Sequence, residues 1–248
     1  MHIYIHKSFG REILRKMIHL MFALALAIPL TPFYRQIFLD IGFPYDATVF
    51  TYALLTFISA FINSLQIRVP SIYAASLKML RDFRKKVIEY ISENIKVENI
   101  SDILRDIDGA FDKHEEKFTE FITSVEREYE RKYGYIGMTF GIVSITLAYT
   151  LFGSLPTLYG ILALVVVDPI TAIVTLLTVE RFKKISKHTI PSIIAAFTAY
   201  TITCFLIDNN ITTAISISLI AVLVELFSPE DNLTLPIIVA VFSHIFHL

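Results

Sequence analysis

The stretch PTLYGILALVVVDPITAIVTLL, residues 156–177, decides what kind of fold this chain adopts. It is almost entirely apolar, and a helix of this length crosses the roughly 30 Å hydrocarbon core of a bilayer. Its one charged residue is Asp168, and a carboxylate at that depth costs roughly 2.5–3.5 kcal/mol on insertion scales. A membrane helix keeps such a group only where it meets a partner, a metal ion or a water-filled cavity. Asp168 is therefore the first candidate for a functional residue.

The composition of the whole chain agrees with a membrane protein. Hydrophobic residues make up 54% of the 248 residues and charged residues only 18%, and the mean hydropathy is +0.60. More than half of the 22 Lys and Arg, and more than half of the 23 Asp and Glu, lie between Arg68 and Gly134. This distribution indicates a polytopic membrane protein with one soluble insertion. The single Cys204 excludes a disulfide or a cysteine-based metal site within one chain.

The apolar stretches predict an all-α fold, a polytopic transmembrane helical bundle of about seven spans. The predicted spans are 14–31, 47–65, 135–153, 157–178, 190–207, 211–228 and 234–248. Basic residues cluster before the first span, between the second and third, and between the fourth and fifth, which predicts a cytoplasmic N-terminus and insertion. We therefore expect three parts, in the order 1–65 (membrane), 66–134 (cytoplasmic helical hairpin) and 135–248 (membrane).

Apolar residues in the insertion follow the spacing of a heptad seam. In its second helix, steps of four and three connect Ile100, Leu104, Ile107, Phe111, His114, Phe118, Phe121 and Val125. Its first helix shows a similar rhythm at Tyr73, Leu77, Leu80, Val87 and Ile91, and the turn falls at 92–101. We expect this seam to pack the two helices of the hairpin together, with a dimer interface or a regulatory arm as the alternative.

A first group of polar residues lies at the start of the first span. Glu12, Arg15, Lys16 and His19 follow the spacing 0, 3, 4, 7, which places their side chains on one face of a helix. The two basic residues suit phosphate oxygens, and His19 lies just inside the membrane interface. The alternative is a basic flank that only orients the span.

Asp168 itself forms the second group. It is followed by Pro169, which removes a helical hydrogen bond and is expected to break the helix there. A broken helix with a carboxylate suits a cation, whereas the alternative is a carboxylate that pairs with a neighbouring helix for packing alone.

Two more groups lie beside later spans. Lys187 and His188 precede the fifth span, whose helix start favours an anion. Glu225 lies at the cytoplasmic end of the sixth span, and Asp231 and Asn232 lead into the seventh. Carboxylates at a helix start suit a divalent metal that holds phosphates, and the alternative is an ordinary loop with a capped helix. Jointly the four groups predict a cytoplasm-facing pocket for phosphoryl or nucleotidyl transfer, which a lipid substrate enters sideways from the bilayer.

The motifs that hold these residues resemble those of a known enzyme family. EILRKMIH (12–19) is similar to the E-x-x-R-K-x-x-H opening of the family of dolichol kinase, phytol kinase and CTP-dependent diacylglycerol kinase. This family is related to the phosphatidate cytidylyltransferases. VDPITA (167–172) resembles its G-D-x-x-A segment, and VELFSPEDNLTLP (224–236) resembles its closing E…D-N-x-x-x-P segment. The matches occur in order over nearly the whole membrane part and exclude the insertion.

The resemblance implies an enzyme that transfers the γ-phosphate of CTP to a membrane isoprenoid alcohol of the polyprenol or dolichol type. It also implies a divalent cation such as Mg²⁺. The residues implied are Asp168, Glu225 and His19 for catalysis, Arg15, Lys16, Lys187 and Asn232 for the nucleotide, and Asp168 and Asp231 for the metal. The expected partners are the lipid alcohol and CTP, without nucleic acid, and a homo-oligomer through residues 66–134 is left open.

Departures from the family pattern keep other functions open. Val167 stands where the family has glycine, and Ile190 and Pro191 stand where it has an acid and a glycine. Glycine lets a backbone approach a nucleotide closely, so these positions bear on nucleotide binding. The alternatives are a cytidylyltransferase that forms a CDP-activated lipid, a non-catalytic membrane relative whose hairpin is an interaction arm, and a transporter that uses Asp168 as an ion relay.

Overall fold

The computed structural model of the protein describes residues 2–68, 72–94, 100–125 and 134–247. These residues are almost entirely helical, which confirms the predicted all-α class. The helices are α1 (His2–Ala27), α2 (Pro32–Asp40), α3 (Ala47–Arg68), α4 (Ile72–Asn94), α5 (Ile100–Val125), α6 (Ile136–Phe152), α7 (Ser154–Thr178), α8 (Ile190–Asp208), α9 (Ile211–Phe227) and α10 (Asp231–Ile245). A short antiparallel ribbon of β1 (Lys184–Ile185) and β2 (His188–Thr189) connects α7 to α8.

Four helical segments are long and apolar enough to cross a membrane, which indicates a membrane protein. They are Glu12–Leu30, Ala47–Arg68, Ser154–Thr178 and Ile190–Asp208. The other three predicted spans correspond to α6, α9 and α10, which are apolar but have only 17, 17 and 15 residues. The structure therefore supports four spanning helices by length and composition, and the predicted number of seven is not confirmed.

The chain divides into two units, one of Met1–Phe61 with Ile136–Leu248 and one of Ile62–Tyr135. In the first unit, α7 is the central helix, because α1, α6, α8 and α10 all pack against it. Half of the most apolar stretch of α7 is buried, against 17% for α1 and for α3. Because α7 is central, Asp168 is buried between helices.

The helix break predicted at Asp168 and Pro169 is absent, since α7 continues from Ser154 to Thr178 with Pro169 inside it. A proline removes only one backbone hydrogen bond, and four helices pack around this one. The hydroxyl oxygen of Thr171 lies 2.9 Å from the carbonyl oxygens of both Val167 and Asp168, so its single hydrogen bonds within the turn that contains the proline. The Asp168 carboxylate is therefore presented by a continuous helix.

The backbones of α7 and α10 lie in close contact near the start of α10. The backbone of Pro236 passes so near Gly160 that a Cβ added at Gly160 would lie 2.4 Å from the Pro236 carbonyl oxygen. The hydroxyl of Ser144 on α6 donates to the carbonyl oxygen of Leu233 at 2.6 Å. Both contacts hold the start of α10 against the helices that precede it in the chain.

We expect Gly160→Ala to destabilise the protein by about 1–3 kcal/mol, because the new methyl group meets a backbone atom that cannot turn away. Gly141→Ala is the matched control: Gly141 is also buried in a helix, but an added Cβ has no atom within 4 Å. The control should be neutral or gain up to about 1 kcal/mol of helix propensity. Thermal unfolding, followed by a thiol-reactive dye at the buried Cys204, measures both. Equal unfolding temperatures of the two variants would contradict the close contact.

In the second unit, α4 and α5 are held together by a charged cluster around Arg84. Its guanidinium donates to Asp108 and Glu115 at 2.6 Å each and to Asp112 at 2.5 Å. Arg81 precedes Arg84 in α4 and pairs at 2.8 Å with Glu115, which follows Asp108 in α5. The two helices therefore run antiparallel. These polar contacts mark the face by which the helices meet, and Leu77, Ile91 and Leu104 of the predicted seam are half-buried.

The predicted packing seam is largely exposed. Ile107, Phe111 and Phe118 on α5 are 44%, 53% and 47% exposed, and Leu80 on α4 is 61% exposed. The prediction that this heptad packs the two helices together is therefore wrong at Ile107, Phe118 and Leu80, because Arg84 contacts the neighbouring, acidic face of α5. Phe111 does contact the other helix, since the Arg84 guanidinium lies 5.2 Å from the centre of its ring. The side chains of Tyr73, Ile100 and Val125 lie outside the described residues, as do residues 95–99 of the turn predicted at 92–101. The two ends of that turn belong to α4 and α5.

Candidate functional site

Three carboxylates from different helices meet at one place in the first unit. Asp168 lies on α7, Glu225 near the end of α9, and Asp231 at the start of α10. One carboxylate oxygen from each lies within 4.8 Å of those from the other two. Asp168 is 3% exposed and Glu225 is 1% exposed. Three converging carboxylates are hard oxygen ligands of the kind that Mg²⁺ binds.

Asp168 contacts two basic side chains of α1. The ammonium nitrogen of Lys16 lies 2.5 Å from Asp168 Oδ1, and Nε2 of His19 lies 3.5 Å from Asp168 Oδ2. Lys16 and His19 are three residues apart, so both lie on the face that α1 turns toward α7. The structure thus brings together three residues that were predicted from two separate motifs, 12–19 and 167–172.

Glu225 contacts His188, the first residue of β2. Its Oε1 lies 3.2 Å from His188 Nε2, and the other ring nitrogen, Nδ1, lies 3.2 Å from the Thr175 hydroxyl. Thr175 donates to Ser192 at 2.9 Å, and Ser192 donates to the Thr189 carbonyl oxygen at 2.7 Å. Because each hydroxyl has one hydrogen, Thr175 accepts from His188.

This hydrogen-bond chain fixes the state of the imidazole. Nδ1 of His188 holds a hydrogen, and Nε2 faces Glu225. A hydrogen bond between Nε2 and Oε1 then requires one further proton, on either the ring or the carboxyl group. The contact between Nε2 and Oε1 therefore connects Glu225 to the chain of His188, Thr175 and Ser192.

The second oxygen of Glu225 has no hydrogen-bond partner among the described residues, although it is buried. A buried carboxylate oxygen that lacks a partner costs about 1–3 kcal/mol or more. Proteins satisfy the large majority of such atoms, and an exception indicates strain, catalysis or a missing ligand. Oε2 of Glu225 is therefore the atom that most directly indicates a bound group.

Asp231 lies at the more open side of the cluster. Its Oδ2 is 3.5 Å from the ammonium nitrogen of Lys187, and the two side chains are 29% and 34% exposed. Lys187 belongs to the two-residue turn of the ribbon, where Ser186 has a positive φ of 57°. This turn exposes Lys187 and directs the next residue, His188, inward, where it is 8% exposed.

Each acid of the cluster consequently has a basic neighbour. Lys16 lies beside Asp168, His188 beside Glu225, and Lys187 beside Asp231. The formal charges nearly cancel, which lets buried carboxylates exist without a ligand. A cation that binds the carboxylates would release both lysines for a second, anionic group.

Two predicted site residues, Arg15 and Asn232, have side-chain contacts outside the group of three carboxylates. Arg15 forms an ion pair with Glu12 in its own helix. The backbone N–H of Asn232 donates to Asp231 Oδ1 at 3.0 Å, while its amide nitrogen is 2.9 Å from where a Cβ of Gly137 would be. The Asn232 side chain therefore packs on α6, and its described contacts do not include the three carboxylates.

Of the hydrogen-bonded chain behind Glu225, only His188 was named in a candidate group, and the sequence assigned it no role. This chain consists of His188, Thr175 and Ser192, all buried. One sequence signal points to Thr175: polar residues of α7 recur at Asp168, Thr171, Thr175 and Thr178. Their spacing of 0, 3, 7 and 10 places them on one face of the helix.

No protein-family model, curated protein or solved structure matches this chain. The functional interpretation therefore depends on the geometry of the site and on the resemblance of the three motifs.

Proposed function

We propose that this protein is an integral membrane phosphotransferase that moves the γ-phosphate of CTP to a membrane isoprenoid alcohol, with a divalent cation such as Mg²⁺. The observation that supports this most is the group of three carboxylates in which buried Glu225 Oε2 has no described partner. CTP and the isoprenoid alcohol come from the resemblance of residues 12–19, 167–172 and 224–236 to the dolichol kinase family. The cluster itself supports a cation and phosphates.

Asp168 and Asp231 are the proposed metal ligands, and the cation, when bound, neutralises charge on the transferring phosphate. Once their carboxylates hold a cation, Lys16 and Lys187 are free to bind phosphate oxygens. Both lysines already lie at hydrogen-bond distance from the acids, so only their side chains need to turn. The site thus exchanges two internal ion pairs for two contacts with the nucleotide.

Glu225 is the proposed base for the attacking alcohol. Its Oε1 is held by His188, which leaves the unpaired Oε2 to accept the hydroxyl proton. The alcohol oxygen then bonds to the γ-phosphorus as the bond between that phosphorus and the β–γ bridging oxygen breaks. CDP leaves with that oxygen, and the lipid phosphate is the second product. His188 is a positioning residue in this scheme.

We further propose that α6, α9 and α10 complete a seven-span topology with the N-terminus and the hairpin in the cytoplasm. Helices of 15–17 residues measure about 22–26 Å, short of the roughly 30 Å core. Local thinning of the bilayer accommodates such a mismatch at modest cost. The basic flanks support this orientation by the positive-inside rule.

The test uses purified full-length protein in detergent with Mg²⁺, a panel of lipid alcohols, and CTP labelled separately at the γ- and α-phosphates. We expect γ label in the lipid and none after chelation of the metal. Label from the α-phosphate would establish a cytidylyltransferase instead. If neither label is transferred and CTP does not bind, the protein is a non-catalytic membrane relative and the proposal fails.

A further inference from the structure

A short segment connects the first two helices that are long enough to cross a membrane. It consists of one turn of 3₁₀ helix (Ile28–Leu30), the nine-residue α2, and the loop that leads into α3. Along α1, roughly 16 Å separates Lys16, which contacts Asp168, from Ala27, where the segment begins. The segment therefore lies at the end of α1 that is far from the three carboxylates.

Side-chain hydrogen bonds hold α2 against helices of the membrane part. The Tyr34 hydroxyl bonds with the hydroxyl of Thr51, which lies in the second turn of α3. The Arg35 guanidinium donates to the Tyr149 hydroxyl, near the end of α6, at 2.8 Å. Because α3 is apolar enough to span and α6 is also apolar, these contacts place α2 at the level where the two helices leave the membrane.

The two sides of α2 differ in polarity. At 100° per residue, the polar residues Arg35, Gln36 and Asp40 share one arc with Pro32 and Leu39. The opposite arc contains only apolar and aromatic residues, namely Phe33, Tyr34, Ile37, Phe38 and Ile41. In that arc, Tyr34 and Phe38 are half-buried, whereas Phe33, Ile37 and Ile41 are 75%, 42% and 70% exposed. We call Phe33, Ile37 and Ile41 the exposed apolar stripe.

Aromatic rings continue this surface into the loop before α3. The Phe38 ring contacts Phe43 at 5.3 Å between ring centres, and Phe43 contacts Tyr45 at 5.8 Å and Phe50 at 5.1 Å. Tyr45 is 74% exposed. Tyrosine is enriched where a membrane protein meets the lipid headgroups, because its ring is apolar and its hydroxyl is polar. The aromatic cluster therefore supports the same level for α2.

A lipid surface fits the exposed apolar stripe better than a protein partner does. Three side chains cannot supply the roughly 800 Å² per partner of a standard protein interface. Residues 28–46 contain one basic and two acidic residues, and Arg35 lies 3.9 Å from Asp46, so the segment offers no basic patch to anionic lipids. Burial of an apolar face is the contribution to interfacial binding that does not depend on anionic lipids.

We propose that α2 lies along this membrane surface, with the exposed apolar stripe inserted among neutral lipids at the boundary of headgroups and acyl chains. The hydrogen bonds of Tyr34 and Arg35 fix which side of α2 faces the protein, and so direct the stripe toward lipid. The hydroxyl of Thr48 on α3 donates to the Pro29 carbonyl oxygen at 2.7 Å. The inserted segment thereby holds the adjoining ends of α1 and α3 at one depth, independently of the proposed enzymatic activity.

Fluorescence of a single tryptophan tests this placement, because the chain has none of its own. Phe33→Trp and, separately, Ile37→Trp are prepared in the full-length protein and reconstituted into phosphatidylcholine vesicles, with iodide on both sides. We expect emission at shorter wavelength, strong quenching by lipids brominated near the headgroup end of the acyl chain, and little quenching by iodide. Gln36→Trp is the matched control: it is exposed on the polar arc and should be quenched by iodide.

Leu54→Trp supplies the reference for depth. Leu54 is 45% exposed and lies two turns into α3, so lipids brominated deeper in the acyl chain should quench it best. If iodide quenches Phe33→Trp and Ile37→Trp as strongly as Gln36→Trp, the exposed apolar stripe faces water and the proposal is overturned. It also fails if neither quencher reaches these two positions, since a protein surface, such as a second copy of the chain, then covers the stripe. Circular dichroism checks that each variant keeps its helix content.

Discussion

The Asp168→Asn protein is expected to fold and insert but to lose phosphate transfer to lipid by about a thousandfold. Asparagine keeps the shape of the side chain and removes its charge, which is the property that both a cation and Lys16 require. Removal of one preorganised electrostatic group commonly costs 10²–10³-fold in rate, and Asp168 is proposed to act on the cation as well. We therefore expect the largest activity loss of any single substitution here.

The matched control is Asp208→Asn, since Asp208 is an exposed acid at the end of α8. It should retain full transfer. Binding of Mn²⁺ to each protein separates a lost metal site from a lost fold, and the dye signal from buried Cys204 reports folding. If the Asp168→Asn protein keeps its turnover, Asp168 is not part of the reaction and the proposed site is wrong.

Hydropathy alone predicted the helices of the membrane part closely. The predicted spans 47–65, 190–207 and 211–228 compare with Ala47–Arg68, Ile190–Asp208 and Ile211–Phe227 in the structure. A bilayer forces each segment to satisfy its backbone internally, so composition is nearly sufficient to define a helix there. The hairpin has no such constraint. In it, the contact face depends on how far Arg84 reaches across to α5, which periodicity does not encode.

The site was predictable where a charge stood out against an apolar background. Asp168, Glu225 and Asp231 were found in this way, and they meet in the structure. His188 was not assigned a role because its partner Glu225 is 37 residues away. Its inward direction depends on a ribbon of two-residue strands, which is too short to show any periodic pattern.

Lys16→Met is expected to destabilise the protein by about 3–5 kcal/mol when divalent cations are absent. The substitution leaves the carboxylate of Asp168 buried, with its side chain 4% exposed, after the loss of its closest counter-charge. Removal of one partner from a buried ion pair has a cost of this size. In a chain of this length the unfolding temperature should fall by on the order of 10 °C.

The decisive part of this prediction is the effect of the metal. A cation held by Asp168 and Asp231 supplies the positive charge that Lys16 provided, so millimolar Mg²⁺ or Mn²⁺ should restore most of the lost stability. Lys187→Met is the matched control, because it breaks a partly exposed pair with Asp231 and should cost less than about 1 kcal/mol. Both variants are compared by thermal unfolding with the dye at Cys204, with and without cation. If Lys16→Met is equally unstable in both conditions, Asp168 and Asp231 do not hold a metal, and their ion pairs only join α1 to α7 and the ribbon turn to α10.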